Sequence, residues 1–339
     1  MRKKILLIVA VIIILMASLF ITVAAIRKPS SKFDAQFKLP ATIKLIVDIP
    51  VKTPTYFFKN KFGTKGKGSL VNGIFHFADL IWVDGQKNIY VGDVQYTQGV
   101  IIAKYDEKGG YFKTLIDNTG KNTVKYAMDP SCDNIYMCNY DFTGKSNLIV
   151  VEVMKIDGEK PEFLFEAALE GVLRSMVVNS SGIYFCGRTS DKEIFIRKYS
   201  QNGGLLVNIK YNTGEVMNSR EKLGPKKNIA VSDNSIYVAW NNGILRFDSD
   251  GNYQSKWDVG EKAVDLACDS KDNVYMIDHN KYVIRKYDKN GTLLVEGGGY
   301  GFEDGHFKYP NRIAVDSLGN IYVTDGTKPD GCVQIFEPK

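Results

Sequence analysis

Cysteine, histidine and proline are scarce in this chain, which has five, three and ten of them among 339 residues. Cys132, Cys138, Cys186, Cys268 and Cys332 show no C-x-x-C spacing, which excludes the usual zinc and thiol-redox signatures. An odd, sparse set is also no disulfide framework. The five are expected to be buried free thiols, because unpaired cysteine behaves as a small apolar residue. Blocks of like charge are missing too. Setting aside Arg2, Lys3 and Lys4 reduces the formal charge of +6 to +3, with 41 basic and 38 acidic side chains over residues 27–339. So balanced a surface lacks the basic footprint of a nucleic-acid binder, and no nucleic-acid partner is expected. The glycine- and lysine-bearing stretch Gly63-Thr-Lys-Gly66-Lys-Gly68-Ser69 lacks the Gly-Lys-Ser/Thr ending of a phosphate loop.

One long hydrophobic run is present. Residues 5–26 are 22 consecutive uncharged residues, 15 of them Ile, Leu, Val or Phe, with only Ser18 and Thr22 polar. As a helix rising about 1.5 Å per residue, they match a hydrocarbon core of about 30 Å. Residues 1–26 are therefore expected to form an N-terminal membrane anchor, or an uncleaved signal. A cleaved signal peptide is the rival reading, but it uses a shorter apolar stretch of about 7–15 residues. Arg2, Lys3 and Lys4 on one side face Arg27, Lys28, Lys32 and Lys38 on the other, so the positive-inside count nearly ties. A basic tail leading directly into the run is the layout of an export signal, which favours a single-pass protein with its domain outside the cytoplasm. Residues 27–42, with Pro29, Ser30, Ser31 and Pro40, read as a linker.

The rest of the chain repeats. An apolar strand, an Asp-led turn and Asn-Ile-Tyr-Val recur at 82–91, 127–137, 177–185, 230–238, 267–276 and 314–323. The shared tyrosines are Tyr90, Tyr136, Tyr184, Tyr237, Tyr275 and Tyr322, spaced by 46, 48, 53, 38 and 47 residues. A second phrase follows each copy, as in A-K-Y-D at 103–106 and R-K-Y-D at 285–288, and five of the six run on into a glycine. Each such sheet has apolar faces it cannot bury alone, so the sheets stack radially. The expected fold is all-β, a six-bladed β-propeller of four-stranded antiparallel blades over residues 43–339, preceded by one N-terminal transmembrane helix. Because the last repeat stops after its third strand, residues 55–62 are expected to pair with 332–337 and complete blade six.

The segment G-G-Y-G-F-E-D-G-H-F-K-Y-P-N-R-I-A-V-D-S-L-G-N-I-Y-V-T-D at 298–325 resembles the NHL repeat family. The resemblance weakens in the middle blades, where Asn179 and Ser232 replace the turn aspartate. That family includes an amidating lyase, which implies zinc-binding histidines at equivalent repeat positions. Here His76, His279 and His306 fall at three different ones. Related gluconolactonase-type propellers imply a Glu/Asn/Asp metal set, which finds no match in this sequence. Asp248, Asp250 and Asn252 open like a calcium loop, but the twelfth position is Val259 rather than Glu, and the turn recurs in other blades. No catalytic residue, metal ligand or cofactor is assigned.

A binding face remains. Connections between blades and loops between second and third strands share one end of a propeller. Alignment on Asn311 and Arg312 places Asp79, Lys125, Arg174, Lys227, Asp265 and Arg312 around the channel mouth, one per blade. Trp240 and His279 begin loops on the same face. Four basic and two acidic residues suit an acidic or mixed-charge ligand, and the rival is a solvated rim with no ligand. The insertion from Tyr211 to Pro225, in the longest repeat interval, is a second candidate. The expected function is a membrane-tethered extracytoplasmic binding or scaffold module for a protein, glycan or small molecule. The alternative is a metal-dependent lyase or lactonase working in the central channel.

Overall fold

The repeat phrase builds its own turn. Asp84 Oδ1 accepts the backbone N–H groups of Gln86 (2.9 Å) and Asn88 (2.8 Å). Its Oδ2 accepts the Asn88 side-chain amide (2.7 Å) and the Tyr90 hydroxyl (2.9 Å). Asp316, Asn320 and Tyr322 repeat this arrangement in the last blade, and Asp269, Asn273 and Tyr275 in the one before. The aspartate thus satisfies amides that a tight turn leaves without strand partners, and the tyrosine pins the second strand to the turn. The lysine of the second phrase covers that tyrosine: Lys104 Nζ lies 5.2 Å from the Tyr90 ring centre and Lys286 Nζ 4.9 Å from that of Tyr275. Where Asn179 stands for the aspartate, Ser181 takes over the bond to the Tyr184 hydroxyl (2.8 Å).

These units assemble into a propeller in the computed structural model, which describes residues 56–63, 75, 78–95, 99–118, 123–140, 148–158, 160–214, 229–260, 263–326 and 331–338. Blade one is β2 to β5 (Ala78–Val83, Ile89–Gln95, Gly99–Tyr105, Tyr111–Asn118). Blade two is β6 to β9 (Thr123–Met128, Asn134–Tyr140, Leu148–Lys155, Glu162–Ala168). Blade three is β10 to β13 (Val172–Asn179, Gly182–Ser190, Glu193–Tyr199, Leu205–Asn212). Blade four is β14 to β17 (Ile229–Val231, Ser235–Trp240, Gly243–Asp248, Tyr253–Asp258). Blade five is β18 to β21 (Ala263–Cys268, Val274–Asp278, Val283–Tyr287, Leu293–Gly298). Blade six takes β22 to β24 (Pro310–Val315, Ile321–Asp325, Cys332–Pro338) and closes with β1 (Tyr56–Phe62) from the other end of the domain. The expected closure is borne out: β1 lies antiparallel to β24, from Tyr56 opposite Pro338 to Phe62 opposite Val333.

Among the described residues six apolar cores follow, one at each junction of neighbouring blades. The core between blades six and one, for example, joins Tyr322, Val333 and Ile335 to Ile89, Val91 and Tyr105. All five cysteines are free thiols, and Cys132, Cys138 and Cys186 are buried. Among the described residues no helix is long and apolar enough to cross a membrane. The run 5–26 expected as an anchor, the linker 27–42 and residues 43–55 lie outside the described residues.

The innermost strand of each blade is an edge strand facing the channel. In β2, β6, β10, β18 and β22 the pairing with the second strand slips near the start, at Ala78/Leu80, Thr123/Lys125, Leu173/Ser175, Ala263/Leu266 and Pro310/Arg312. A bulge of this kind turns a side chain away from the regular alternation. The residues that fall in these bulges include Asp79, Arg174 and Asp265, whereas Lys125 and Arg312 stand immediately after one, opposite Cys138 and Thr324.

Candidate functional site

The central cavity has a volume of about 320 Å³, within the range of small-molecule sites. One end carries Asp79, Lys125, Ser175, Asp265 and Arg312, and further along the wall turns apolar with Ile81, Ala127, Val177, Val231, Ala267 and Val315.

Arg312 is the hub of the charged collar. Its Nε donates to the Asp79 carbonyl oxygen (2.5 Å) and to Asp79 Oδ1 (3.2 Å), and its terminal nitrogen lies 3.8 Å from Asp265 Oδ1. Asp265 Oδ2 accepts the backbone N–H of Ile313 (2.9 Å), an amide on the free edge of β22. Asn311 Nδ2 reaches back to Ala78 O (3.0 Å) and Asp79 Oδ1 (3.1 Å). Blades five, six and one are therefore laced together at the axis. The rival reading of a solvated rim does not hold for these two, since Asp265 is 1% exposed and Arg312 7%. Their charges are interior, and the contact between them crosses the junction of blades five and six.

Lys125 differs from these. It lines the cavity and is partly buried, and among the described residues it has no hydrogen bond or ion pair. Burial pushes its ammonium down to about 8, and the positive charges of Arg312 and Arg174 add to the effect against the pull of Asp79. Arg174 is half-buried on the bulge of β10, beside the cavity wall formed by Ser175 and Met176. Lys227 lies outside the described residues, as does residues 215–225 of the insertion.

The two loop residues part ways. Trp240 is 3% exposed and sits in the core between blades three and four, so its indole offers no open stacking face. The reason is the position of β15, all six of whose residues are buried. His279 is half-buried against Tyr309, with ring centres 4.4 Å apart. It borders an aromatic ledge that the sequence reading passed over, in which Tyr300 (63%), Phe302 (66%) and Tyr309 (38%) are exposed. Lys308 Nζ lies 4.0 Å from the Phe302 ring centre. The signal was present in G-Y-G-F and K-Y-P, residues that read only as an inter-blade connection. Among the described residues, no group of three His, Cys, Asp or Glu side chains is arranged to hold a metal ion.

Comparison with known proteins agrees with this architecture. The NHL repeat family matches residues 307–336. No curated protein matches the sequence. Among solved structures, the chain is similar to a protein of unknown function from Bacteroides thetaiotaomicron, at 13% identity and a TM-score of 0.55, over 84% of this chain and 76% of that one. It is also similar to a gluconolactonase from Xanthomonas campestris, at 13% identity and a TM-score of 0.51, over 84% of this chain and 97% of that one. Identities this low speak to fold alone. The chain is a six-bladed β-propeller that carries an NHL repeat at residues 307–336.

Proposed function

We propose that this protein is a membrane-tethered binding module whose propeller, held outside the cytoplasm, takes a small anionic ligand at the charged collar of its central channel. One observation carries the reading: a desolvated lysine, Lys125, lines the cavity with no hydrogen bond or ion pair among the described residues, and the nearby Asp79 that attracts it is already held by Arg312. A cation removed from water without a counter-ion is costly, and a bound anion supplies what it lacks. Asp79 and Asp265 are engaged by Arg312 and the β22 edge, and so are poor substitutes. The apolar wall beyond the collar supports a ligand with an acid group at one end and a small hydrocarbon body. The tether rests on the uncharged run 5–26, and the orientation on the basic residues that precede it.

Thermal-shift titration of the full-length chain with short monocarboxylates tests the ligand. Stabilisation by a branched six-carbon acid, abolished in Lys125→Met, is expected. An equal shift in that variant, or none in either protein, overturns the channel reading. Protease added to intact cells tests the tether: digestion of the propeller is expected, and full resistance before lysis overturns the orientation.

A further inference from the structure

We infer that Lys125 is a carbonyl-capturing amine, and that the channel ligand is a 2-oxo acid with a short apolar side chain, held as a reversible imine on Lys125 Nζ. The inference rests on the reading that the collar takes an anion, and it adds the ligand's second functional group.

Position comes first. Lys125 belongs to the charged collar, while Ala127 and Met128 on the same strand belong to the apolar part of the cavity lining. A ligand with its carboxylate at the collar and its side chain along that wall brings its second carbon to the boundary between the two, on the strand that carries Lys125. The groups that act on this amine are Arg312 and Arg174, which oppose its charge, and Asp79 and Cys138, which favour it. The Cys138 thiol is itself pushed up to about 12 by burial, and so remains neutral.

The chemistry divides between two kinds of cation. A guanidinium stays protonated at any working pH and holds a carboxylate, whereas a desolvated ammonium gives up its proton and becomes a nucleophile. Arg312 and Arg174 stand close enough to Lys125 to lower its ammonium, so the surroundings stay positive for a carboxylate when the amine gives up its own charge. The Lys125 amine, pushed down to about 8, has a substantial neutral fraction near neutrality. Its lone pair adds to the carbonyl carbon as the C=O π pair moves to oxygen. The nitrogen then loses two protons, and the oxygen gains two and departs as water, leaving a C=N bond. Water entering by the channel reverses the step. No oxidant or reductant is consumed. The cavity volume of about 320 Å³ is at the small end for ligand sites, which favours a short acid.

Reductive trapping tests this. The full-length chain is incubated at pH 7.5 with 4-methyl-2-oxopentanoate and sodium cyanoborohydride, then digested and mapped by mass spectrometry. The expected result is one dominant secondary-amine adduct on Lys125, formed at least about tenfold faster than on the exposed Lys108, because an ordinary lysine is almost wholly protonated there. The adduct should vanish in Lys125→Arg, and 4-methylpentanoate, which lacks the ketone, should slow its formation. Even labelling of exposed lysines with no excess at Lys125 overturns the inference. If 4-methylpentanoate still stabilises the protein in that case, the anion site stands and only the imine falls. If neither acid binds, both readings fall together.

Discussion

Asp316 shows how much one side chain of the repeat carries. It is 7% exposed, and it accepts the N–H groups of Leu318 and Asn320, the Asn320 amide and the Tyr322 hydroxyl. Asp316→Ala leaves these donors without an acceptor in a place water reaches poorly, so a loss of about 3 kcal/mol or more is expected. Asp106 makes two of the same backbone bonds at the surface, to Lys108 and Gly110. Asp106→Ala should cost only about 1 kcal/mol, and urea unfolding of the two variants measures the contrast. Lys125 offers a test of opposite character. Its folded pKa of about 8 lies below the ordinary 10.5, so below pH 8 the fold bears the cost of a charged amine in the cavity. Between those two values the unfolded chain holds the extra proton, and stability therefore rises with pH. Lys125→Met should be more stable than the natural protein at pH 7, with the difference shrinking toward pH 10.5. Anion affinity should move the other way, falling as pH climbs through about 8. A stability difference that is constant from pH 7 to 10 counts against a desolvated amine.

At the scale of strands and turns, the glycine that ends the second phrase has a job in the neighbouring blade. Gly291 has φ +84°, and a Cβ there would meet Trp257 Cγ of blade four at 2.4 Å. Gly109 has φ +87° and would meet Phe62 Cβ of β1 at 2.3 Å. Backbone strain and overlap act together, so Gly291→Ala should cost about 2–4 kcal/mol, read as a lowered urea midpoint with an unchanged slope. The same scale explains what the sequence could and could not convey. Turn chemistry was legible because Asp, Asn and Tyr perform it locally, within seven residues of one another. Trp240 was misjudged because a second strand packs between two blades and is buried on both faces, so no alternation of polar and apolar residues marks which side is open. Alignment brought the collar residues together, but nothing in it showed that Asp265 and Arg312 are buried. The partners of Arg312 are Asp79 and Asp265, distant in sequence and supplied by different blades. Spacing within one repeat carries no trace of a contact made across the axis.

For the whole molecule, the decisive feature is where the ring closes. Without β1 the outer edge of β24 and the core between blades six and one would be exposed, inviting association through unpaired strands. β1 prevents this. Phe58 meets Phe336 edge-on with ring centres 6.1 Å apart, and Phe62 packs on Phe75 at 6.0 Å and on Tyr105 of blade one at 5.4 Å. Tyr56 reaches the other neighbour, its hydroxyl 3.1 Å from that of Tyr275 in blade five. One seven-residue strand thus touches three blades. The closure also ties the charged collar to the ring's integrity, since Arg312 of blade six holds Asp79 of blade one. Two deletions separate this from a role as mere linker. Removing 29–41 takes away none of these contacts and should leave the unfolding midpoint within about 0.5 kcal/mol of the natural value. Removing 43–62 should instead abolish cooperative unfolding and drive the protein into oligomers on size-exclusion chromatography. Phe62→Ala, at 8% exposed, should lie between them with a loss of about 3–5 kcal/mol. A 43–62 deletion that stays monomeric and melts cooperatively would mean that three strands suffice for blade six, and that β1 is dispensable to the ring.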